Sequence, residues 1–306
     1  MKMQSMNYEF CKLCRSDRIT TVYTSRRTGI PVMRCRHCGL FFVGKVFSAA
    51  AQQATYDNQD AYEAFVRAQR SVDTVKSRQV DWLSQIGQDL DIVEFNNSRK
   101  RKPRLLDVGC GAGDFLALAR DRGYDVSGVE ISAAAAKMAA ESHGIRVRVD
   151  PVEELPTDSS YDVVTMIGLL EHVLDPKAIL MHAHRILGQA GLLFVYTPIW
   201  GLYDVLTSLI ARGTKGIISR PIDRRINSAH LQIFPKETLI RLLGELGYGY
   251  LRCEVVCEYN LPVEQYLQSI GIGHLGARRV MAQIVNQLID HGLFFYNNMR
   301  ITARKI

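Results

Sequence analysis

The sequence lacks an unbroken apolar stretch of the length a bilayer needs. Gly191 to Ala211 comes nearest, and Pro198, Gly201 and Asp204 interrupt it. That pattern predicts a strand, a loop and a separate helix rather than a membrane span. Met1 to Phe10 carries no apolar h-region, so no secretory leader is expected and the reading is a cytoplasmic, reducing environment. No internal repeat is found, which excludes solenoid and propeller architectures. Charged residues make up 23% and apolar residues 47% of the 306 positions, the composition of an ordinary globular chain. The formal net charge of +7 permits an anionic partner without requiring one. The length suffices for one full α/β domain and a small module.

Seven cysteines are present, and four are patterned as Cys11-x-x-Cys14 and Cys35-x-x-Cys38. This spacing reads as a structural zinc site. The alternative, two disulfides, belongs to secreted proteins. Four thiolates complete a tetrahedron and leave no position for a catalytic water, so the metal would staple a segment too short to fold alone. His37 reads as an exposed neighbour of the ligands. Cys110, Cys253 and Cys257 read as buried packing thiols.

Leu105-Leu106-Asp107-Val108-Gly109-Cys110-Gly111-Ala112-Gly113-Asp114 carries most of the functional information. Its apolar start fits a strand covered on both faces of a parallel sheet. The glycines let the backbone turn sharply and let a ligand approach without meeting a Cβ. Glu130 ends the next strand, where a carboxylate accepts the hydroxyls of a ribose. Two nucleoside cofactors compete for this geometry. A dinucleotide turn needs G-x-G-x-x-G/A, and Asp114 stands where the third small residue belongs. Asp107 suits an amino-acid ammonium group and opposes a diphosphate. S-adenosylmethionine is therefore expected in preference to NAD.

Over residues 103–306 the chain resembles the class I S-adenosylmethionine-dependent methyltransferases. Asp107, Gly109, Gly111 and Gly113 resemble that family's first motif, and Glu130 its ribose-binding acid. Tyr161-Asp162-Val163-Val164 and Leu170-Glu171-His172-Val173-Leu174-Asp175-Pro176 resemble its fourth strand and the turn that follows. Asp150-Pro151-Val152-Glu153-Glu154-Leu155-Pro156 resembles the segment beside the adenine. His230-Leu231 through Phe234, with Thr238-Leu239 to Gly247-Tyr248, resembles its late helix. The resemblance implies an α/β fold with a Rossmann-like seven-stranded sheet, helices on both faces and an antiparallel last strand. It also implies cofactor contacts from Asp107, Gly109, Cys110, Gly111, Gly113, Glu130, Ile131, Asp150, Val152, Ile167 and Gly168.

The expected division is a zinc ribbon at 1–45, a helical cap and basic linker at 46–102, and the methyltransferase domain at 103–306 with insertions at 199–229 and 260–296. Strands are predicted near 105–108, 125–130, 145–149, 161–167, 192–197, 250–258 and 298–305. Helices are predicted near 114–122, 133–143, 177–187 and 236–246, and within 202–211 and 277–289. Leu202, Val205, Leu206, Leu209 and Ile210 give the 202–211 helix a broad apolar face, with Arg212, Lys215 and Arg220 beyond it. That face reads as a lid, as peripheral membrane contact, or as packing against the domain or a second subunit of a homodimer.

Joining a four-cysteine ribbon to this domain resembles bacterial methyltransferases of sugar, cell-envelope and natural-product pathways. The chain lacks the large extra C-terminal domain of the sugar C-methyltransferases, so O-methylation of a small-molecule or glycan acceptor is expected. If the acceptor is nucleotide- or lipid-linked, Arg220, Arg224 and Arg225 are the candidate phosphate partners, and each also reads as a residue of a solvated loop. Candidate bases are His172, His230 and Tyr196, and each also reads as a structural residue. Tyr56, Tyr62, Trp200 and Tyr203 either line the acceptor pocket or belong to the core. An RNA base methyltransferase would use the ribbon and the basic run Arg99, Lys100, Arg101, Lys102 and Arg104 as a nucleic-acid face. Against it, Ile167-Gly168-Leu169-Leu170 stands in place of an Asn-Pro-Pro-Tyr signature, and the run also reads as a solvated linker. A non-catalytic cofactor-binding scaffold or assembly factor is the remaining alternative.

Overall fold

Short strands come first, as the paired cysteines demand. They are β1 (Ser5–Asn7), β2 (Ile19–Thr24), β3 (Pro31–Cys35), β4 (Phe41–Val43) and β5 (Lys45–Phe47). The computed structural model describes residues 5–47, 59–92, 101–155, 160–259, 261–291 and 295–306. Tyr56, Arg99, Lys100 and Pro156 lie outside them. Next come α1 (Gln59–Arg70) and α2 (Asp73–Ile92). Trp82, Leu83, Ile86 and Leu90 of α2 are buried, and the Trp82 ring lies 5.8 Å from Phe194 and 4.6 Å from Tyr196. So α2 is a core helix, while α1 reaches the glycine turn.

Strands and helices then alternate: β6 (Arg104–Val108), α3 (Asp114–Arg120), β7 (Asp125–Val129), α4 (Ala133–His143), β8 (Tyr161–Ile167), α5 (Pro176–Ile186) and β9 (Leu187–Pro198). After these come α6 (Leu202–Gly213), α7 (Arg220–Arg225), β10 (Gln232–Ile233), α8 (Lys236–Glu245), β11 (Tyr248–Val256), α9 (Val263–Ser269), α10 (Leu275–Asp290) and β12 (Asn298–Lys305). The two short helices α7 and α9 carry too few residues for a periodic signal. The fifth strand starts at Leu187 rather than 192 because Leu187 already pairs with Tyr161.

The large sheet has the order β11-β12-β9-β8-β6-β7. β6, β7, β8 and β9 are mutually parallel where they pair. At one end the Asn297 amide donates to the Val256 carbonyl, and at the other the Ile306 amide donates to Gly247, so β12 runs antiparallel to β11. This is the Rossmann-like sheet expected. Its seventh position is reduced: the strand anticipated at 145–149 is a single parallel bridge between Val129 and Arg148. Arg146, Arg148 and Val149 are exposed there, and charged, exposed side chains limit pairing at a sheet edge.

The chain gathers into two compact units. One holds residues 1–49, 198–238 and 255–299, and the other 50–197, 239–254 and 300–306. This grouping cuts across the linear division at 45 and 102, because the ribbon and both insertions share a unit. The cause is β10, which pairs with β4 through Phe41↔Ile233 and Phe42↔Gln232. The ribbon sheet thereby becomes β10-β4-β3-β2. Phe41 also stacks on Trp200 at 3.6 Å.

Leu202, Val205, Leu206, Leu209 and Ile210 of α6 are 40–58% exposed, so about half of this apolar face is left open. Among the described residues no helix is long and apolar enough to cross a membrane. Leu105, Leu106, Leu116, Met166 and Phe194 are at most 1% exposed and form the centre of the second unit. Leu106→Ala should cost about 2–5 kcal/mol of unfolding free energy through the cavity it leaves. Leu209→Ala should stay within about 0.5 kcal/mol. Urea denaturation of the two variants measures both.

Candidate functional site

The strand β6 delivers the chain into the turn, where Gly109, Gly111 and Gly113 adopt φ of 72°, 54° and 77°. These left-handed values favour glycine. Space forbids a side chain as well. A Cβ on Gly109 would fall 2.8 Å from Leu169 Cδ1, one on Gly111 2.6 Å from the Tyr62 hydroxyl, and one on Gly113 3.0 Å from Ala139 Cβ. Gly128, on β7, leaves room for Cys110, whose Sγ would sit 2.7 Å from an added Cβ. Cys110 is therefore a buried packing thiol inside the turn.

Glu130 closes the turn. Its Oε2 accepts the Gly111 amide and its Oε1 the Ser132 amide, both at 3.0 Å. Burial pushes the Glu130 carboxyl up from its ordinary value, and the Ser132, Gly111 and Ile131 amides pull the other way. Ile131 beside it is 42% exposed, an apolar surface next to the acid. Asp150 is half-buried and pairs with Arg148 at 2.5 Å, while Val152 is buried at 4% exposure. Gly168 follows β8 with φ of 64°, and its amide donates to the Tyr196 carbonyl at 2.8 Å. Ile167 and Gly168 are half-buried. The turn, Glu130, Ile131, Ile167 and Gly168 thus all stand at the carboxyl ends of parallel strands, where open α/β sheets bind ligands.

Several contacts at this site were not read from the sequence. Arg70 of α1 grips Asp114 through Nε at 3.1 Å and Nη2 at 2.7 Å, and His143 Nε2 lies 2.7 Å from the same carboxylate. Asp114, the departure from the dinucleotide pattern, is where α1 docks. Tyr62 lies over the turn, with the Ala112 backbone hydrogen-bonded to its hydroxyl. Asp107 is 2% exposed and accepts the Thr165 hydroxyl at 2.6 Å. Burial pushes its carboxyl up to about 7, with Thr165 opposing and the charge of Glu130 adding.

His172 lies just past β8, its Nε2 3.9 Å from Oε1 of buried Glu171. Glu171 Oε2 in turn accepts the Thr197 hydroxyl at 3.0 Å. Tyr196, expected as a base, is 2% exposed with its ring against Trp82; burial makes it a core residue. In the other unit, His230 Nδ1 lies 3.1 Å from the Arg225 carbonyl. A carbonyl only accepts, so Nδ1 carries the proton and Nε2 the lone pair in the neutral ring. Arg225 is not a phosphate partner. It pairs with fully buried Asp204 at 2.8 Å and donates to the Ile199 and Asn297 carbonyls. Trp200 and Tyr203 are engaged by Phe41 and by the Tyr266 hydroxyl. Arg101 is no free linker residue: it forks onto buried Asp162 at 2.5 and 2.9 Å.

The four patterned cysteines converge. Cys11 and Cys38 sulfurs are 3.5 Å apart, Cys14 and Cys35 3.6 Å, and all four lie within 4.8 Å of one another. A disulfide needs about 2.05 Å, whereas a tetrahedral zinc with bonds of about 2.3 Å sets its sulfurs about 3.8 Å apart. The separations suit a shared metal. Each pair sits on a tight knuckle whose next residue, Arg15 or Gly39, has positive φ. The Gly39 half was legible; Arg15 gives no such signal. Cys253 and Cys257 are half-buried rather than buried.

A family model described as a methyltransferase domain matches residues 83–252. The ubiquinone biosynthesis O-methyltransferase of Bordetella avium is 35% identical over 102 residues, which cover 31% of this chain and 42% of that protein. Its counterpart from Nitrosomonas europaea is 32% identical over 126 residues, covering 36% of this chain and 54% of that protein. The chain thus spans about half the length of these curated relatives. Among solved structures, the magnesium protoporphyrin IX methyltransferase of Synechocystis PCC 6803 with bound SAH aligns at a TM-score of 0.53 and 15% identity. It covers 84% of this chain and 99% of that one. That likeness is one of fold.

Asp107 offers a direct test of the buried charge beneath the turn. Its folded value of about 7 stands above the ordinary 3.8, so the folded state keeps a proton that the unfolded chain releases in between. Stability from this group is full below about pH 4 and is lost as pH rises through about 7. Asp107→Asn should therefore gain stability relative to the native chain as pH rises. The gap should grow by on the order of 4 kcal/mol between about pH 4 and pH 8, read from urea unfolding across that range.

Proposed function

This chain belongs to the methyltransferase-domain family, and we propose that it moves the methyl group of S-adenosylmethionine to a hydroxyl of a small-molecule acceptor. The observation that carries the reading is Glu130. A carboxylate has about four lone-pair sites. Gly111 and Ser132 occupy one on each oxygen and the Ile131 amide also bears on the group, which leaves acceptor capacity for a ribose hydroxyl. Ile131 supplies the exposed apolar surface that an adenine ring needs. Asp107, at the base of the turn, balances an ammonium group better than a diphosphate.

Bound there, S-adenosylmethionine supplies a methyl group already activated by its sulfonium. The chain's own residues must then orient the acceptor and exclude water, which accounts for about 7–11 kcal/mol of barrier in favourable systems. A hydroxyl acceptor also has to give up its proton. His172 takes it in this reading, and buried Glu171 stabilises the imidazolium that results. His230, with its tautomer fixed through Nδ1, is the second candidate base. Oxygen is favoured as the acceptor atom by the ubiquinone biosynthesis O-methyltransferases the chain resembles. A sugar or glycan remains the acceptor class implied by the ribbon-bearing resemblance.

Cys11, Cys14, Cys35 and Cys38 would hold a zinc ion, and their four sulfurs fit it. With no fifth donor needed, the metal's work there is structural. Elemental analysis of the purified chain should find one zinc, and Cys35→Ser should lose it together with a lower Tm.

Calorimetric titration tests the cofactor. The native chain should bind S-adenosylhomocysteine, and Glu130→Ala should weaken that binding tenfold or more, about 1.4 kcal/mol. Tight NAD binding with no affinity for S-adenosylhomocysteine would overturn the reading. With an acceptor hydroxyl in hand, His172→Ala or His230→Ala should lower kcat at least tenfold; if both leave kcat intact, neither histidine is the base.

A further inference from the structure

An open cavity of about 420 Å³ lies within the unit formed by the ribbon and the insertions. Arg27, Arg220 and Arg224 line it, with Asp223, Ser228 and Ser269 among their neighbours. Its remaining lining residues are Thr28 and Asn227, so no aromatic or aliphatic side chain faces it. We propose that this cleft binds a phosphate or diphosphate group carried by the acceptor. The proposal deepens the methyl-transfer reading and rests on it for the acceptor's role, while the binding itself is measured without any transfer.

The charge balance carries the argument. Three guanidinium groups stand against one carboxylate, which leaves two positive charges uncompensated. That carboxylate is already committed. Buried Asp223 accepts the Ser25 and Ser219 hydroxyls at 2.8 Å each and the Tyr23 hydroxyl at 3.2 Å. Arg27 Nη2 stands 3.5 Å from it. Asp223 therefore positions Arg27 at the cleft and does not reach the other two. Arg220 and Arg224 are exposed and form no ion pair among the described residues. Gly271 has φ of 106°, and a Cβ on it would fall 2.7 Å from Arg220 Nη1. The absence of a side chain there leaves room for the guanidinium.

Guanidinium forks match phosphate oxygens in pairs, and the hydroxyls of Thr28 and Ser228 add neutral donors. A small anion of charge near −2 fits better than a quinone ring or an alkyl chain, which would find no apolar wall. The sequence pointed to Arg220, Arg224 and Arg225. Folding removes Arg225 into its pair with Asp204 and supplies Arg27 from the ribbon. The phosphate has two sources, a soluble nucleotide or a lipid headgroup. The exposed apolar face of α6, with Arg212 and Lys215 exposed beside it, makes the second worth its own arm.

The test is calorimetry on the full chain with inorganic pyrophosphate, and co-sedimentation with phosphatidylcholine vesicles with and without phosphatidic acid. Arg220→Ala and Arg224→Ala are compared with the native chain, and Arg220→Lys keeps the charge while losing the fork. Unchanged S-adenosylhomocysteine affinity and Tm show that each variant is folded. Saturable pyrophosphate binding that falls at least tenfold in each alanine variant, less in Arg220→Lys, supports the site with a soluble source. Phosphatidic-acid-dependent sedimentation with the same arginine dependence and no pyrophosphate affinity supports the lipid source. Binding of neither probe, or binding indifferent to both arginines, overturns the proposal. Pyrophosphate binding in a chain that takes up no S-adenosylhomocysteine would sink the methyl-transfer reading alone.

Discussion

The backbone of the glycine turn is the constraint on which the second unit depends. Gly109, Gly111 and Gly113 are held in left-handed conformations, and each is crowded from a different direction. Leu169 presses from the turn after β8, Tyr62 from α1 and Ala139 from α4. Three separate elements therefore converge on one stretch of main chain, and none can move inward past the others. The Glu130 carboxylate then ties the middle of the turn to the start of α4 by accepting Gly111 and Ser132 amides together. A turn fixed this way needs little reorganisation when a nucleoside arrives, which is what a positioning site requires.

Buried carboxylates recur around that frame, and each is matched by donors placed to suit it. Asp107 has Thr165, Glu171 has Thr197, and Asp162 has the Arg101 fork and the Arg104 amide. In the other unit Asp204 has Arg225, and Asp223 has two serines and a tyrosine. Such pairs add little net stability compared with apolar packing, but breaking one leaves a charge stranded in a low dielectric. Their value here is positional. Asp162 pins the start of β6 against β8, and Asp223 sets the angle of Arg27. The polar network in each unit fixes side chains that the hydrophobic core alone would leave free to choose among rotamers.

The parts of this design that were legible in the sequence are those with a local signature. The strand–glycine–helix run, Glu130 at the next strand end and the paired cysteines depend on residues close together in the chain, and the structure brings each set together. What was hidden depends on distant pairing. Nothing near Asp114 announces Arg70, and nothing near Phe41 announces that Gln232 and Ile233 will extend its sheet. The compact units are not linear in sequence for the same reason, since β10, which follows the first insertion, pairs with β4 of the ribbon. Tyr196 shows the opposite error. It was named as a candidate base, but the outcome rested on Trp82, which comes from a helix far upstream and packs against it.

Asp114 also explains why the choice between two nucleoside cofactors is physical and not a matter of pattern. A dinucleotide's pyrophosphate sits at a helix start, where backbone amides and the helix dipole favour negative charge. In this chain that position, the first residue of α3, is itself a carboxylate, and Glu130 stands across the same turn. The charge preference of the helix start is thus already met from within. Arg70 and His143 are turned onto Asp114 and hold it in place. An incoming diphosphate would have to displace that arrangement and then face two acids. A cofactor whose far end is a cation and an amino acid meets no such opposition.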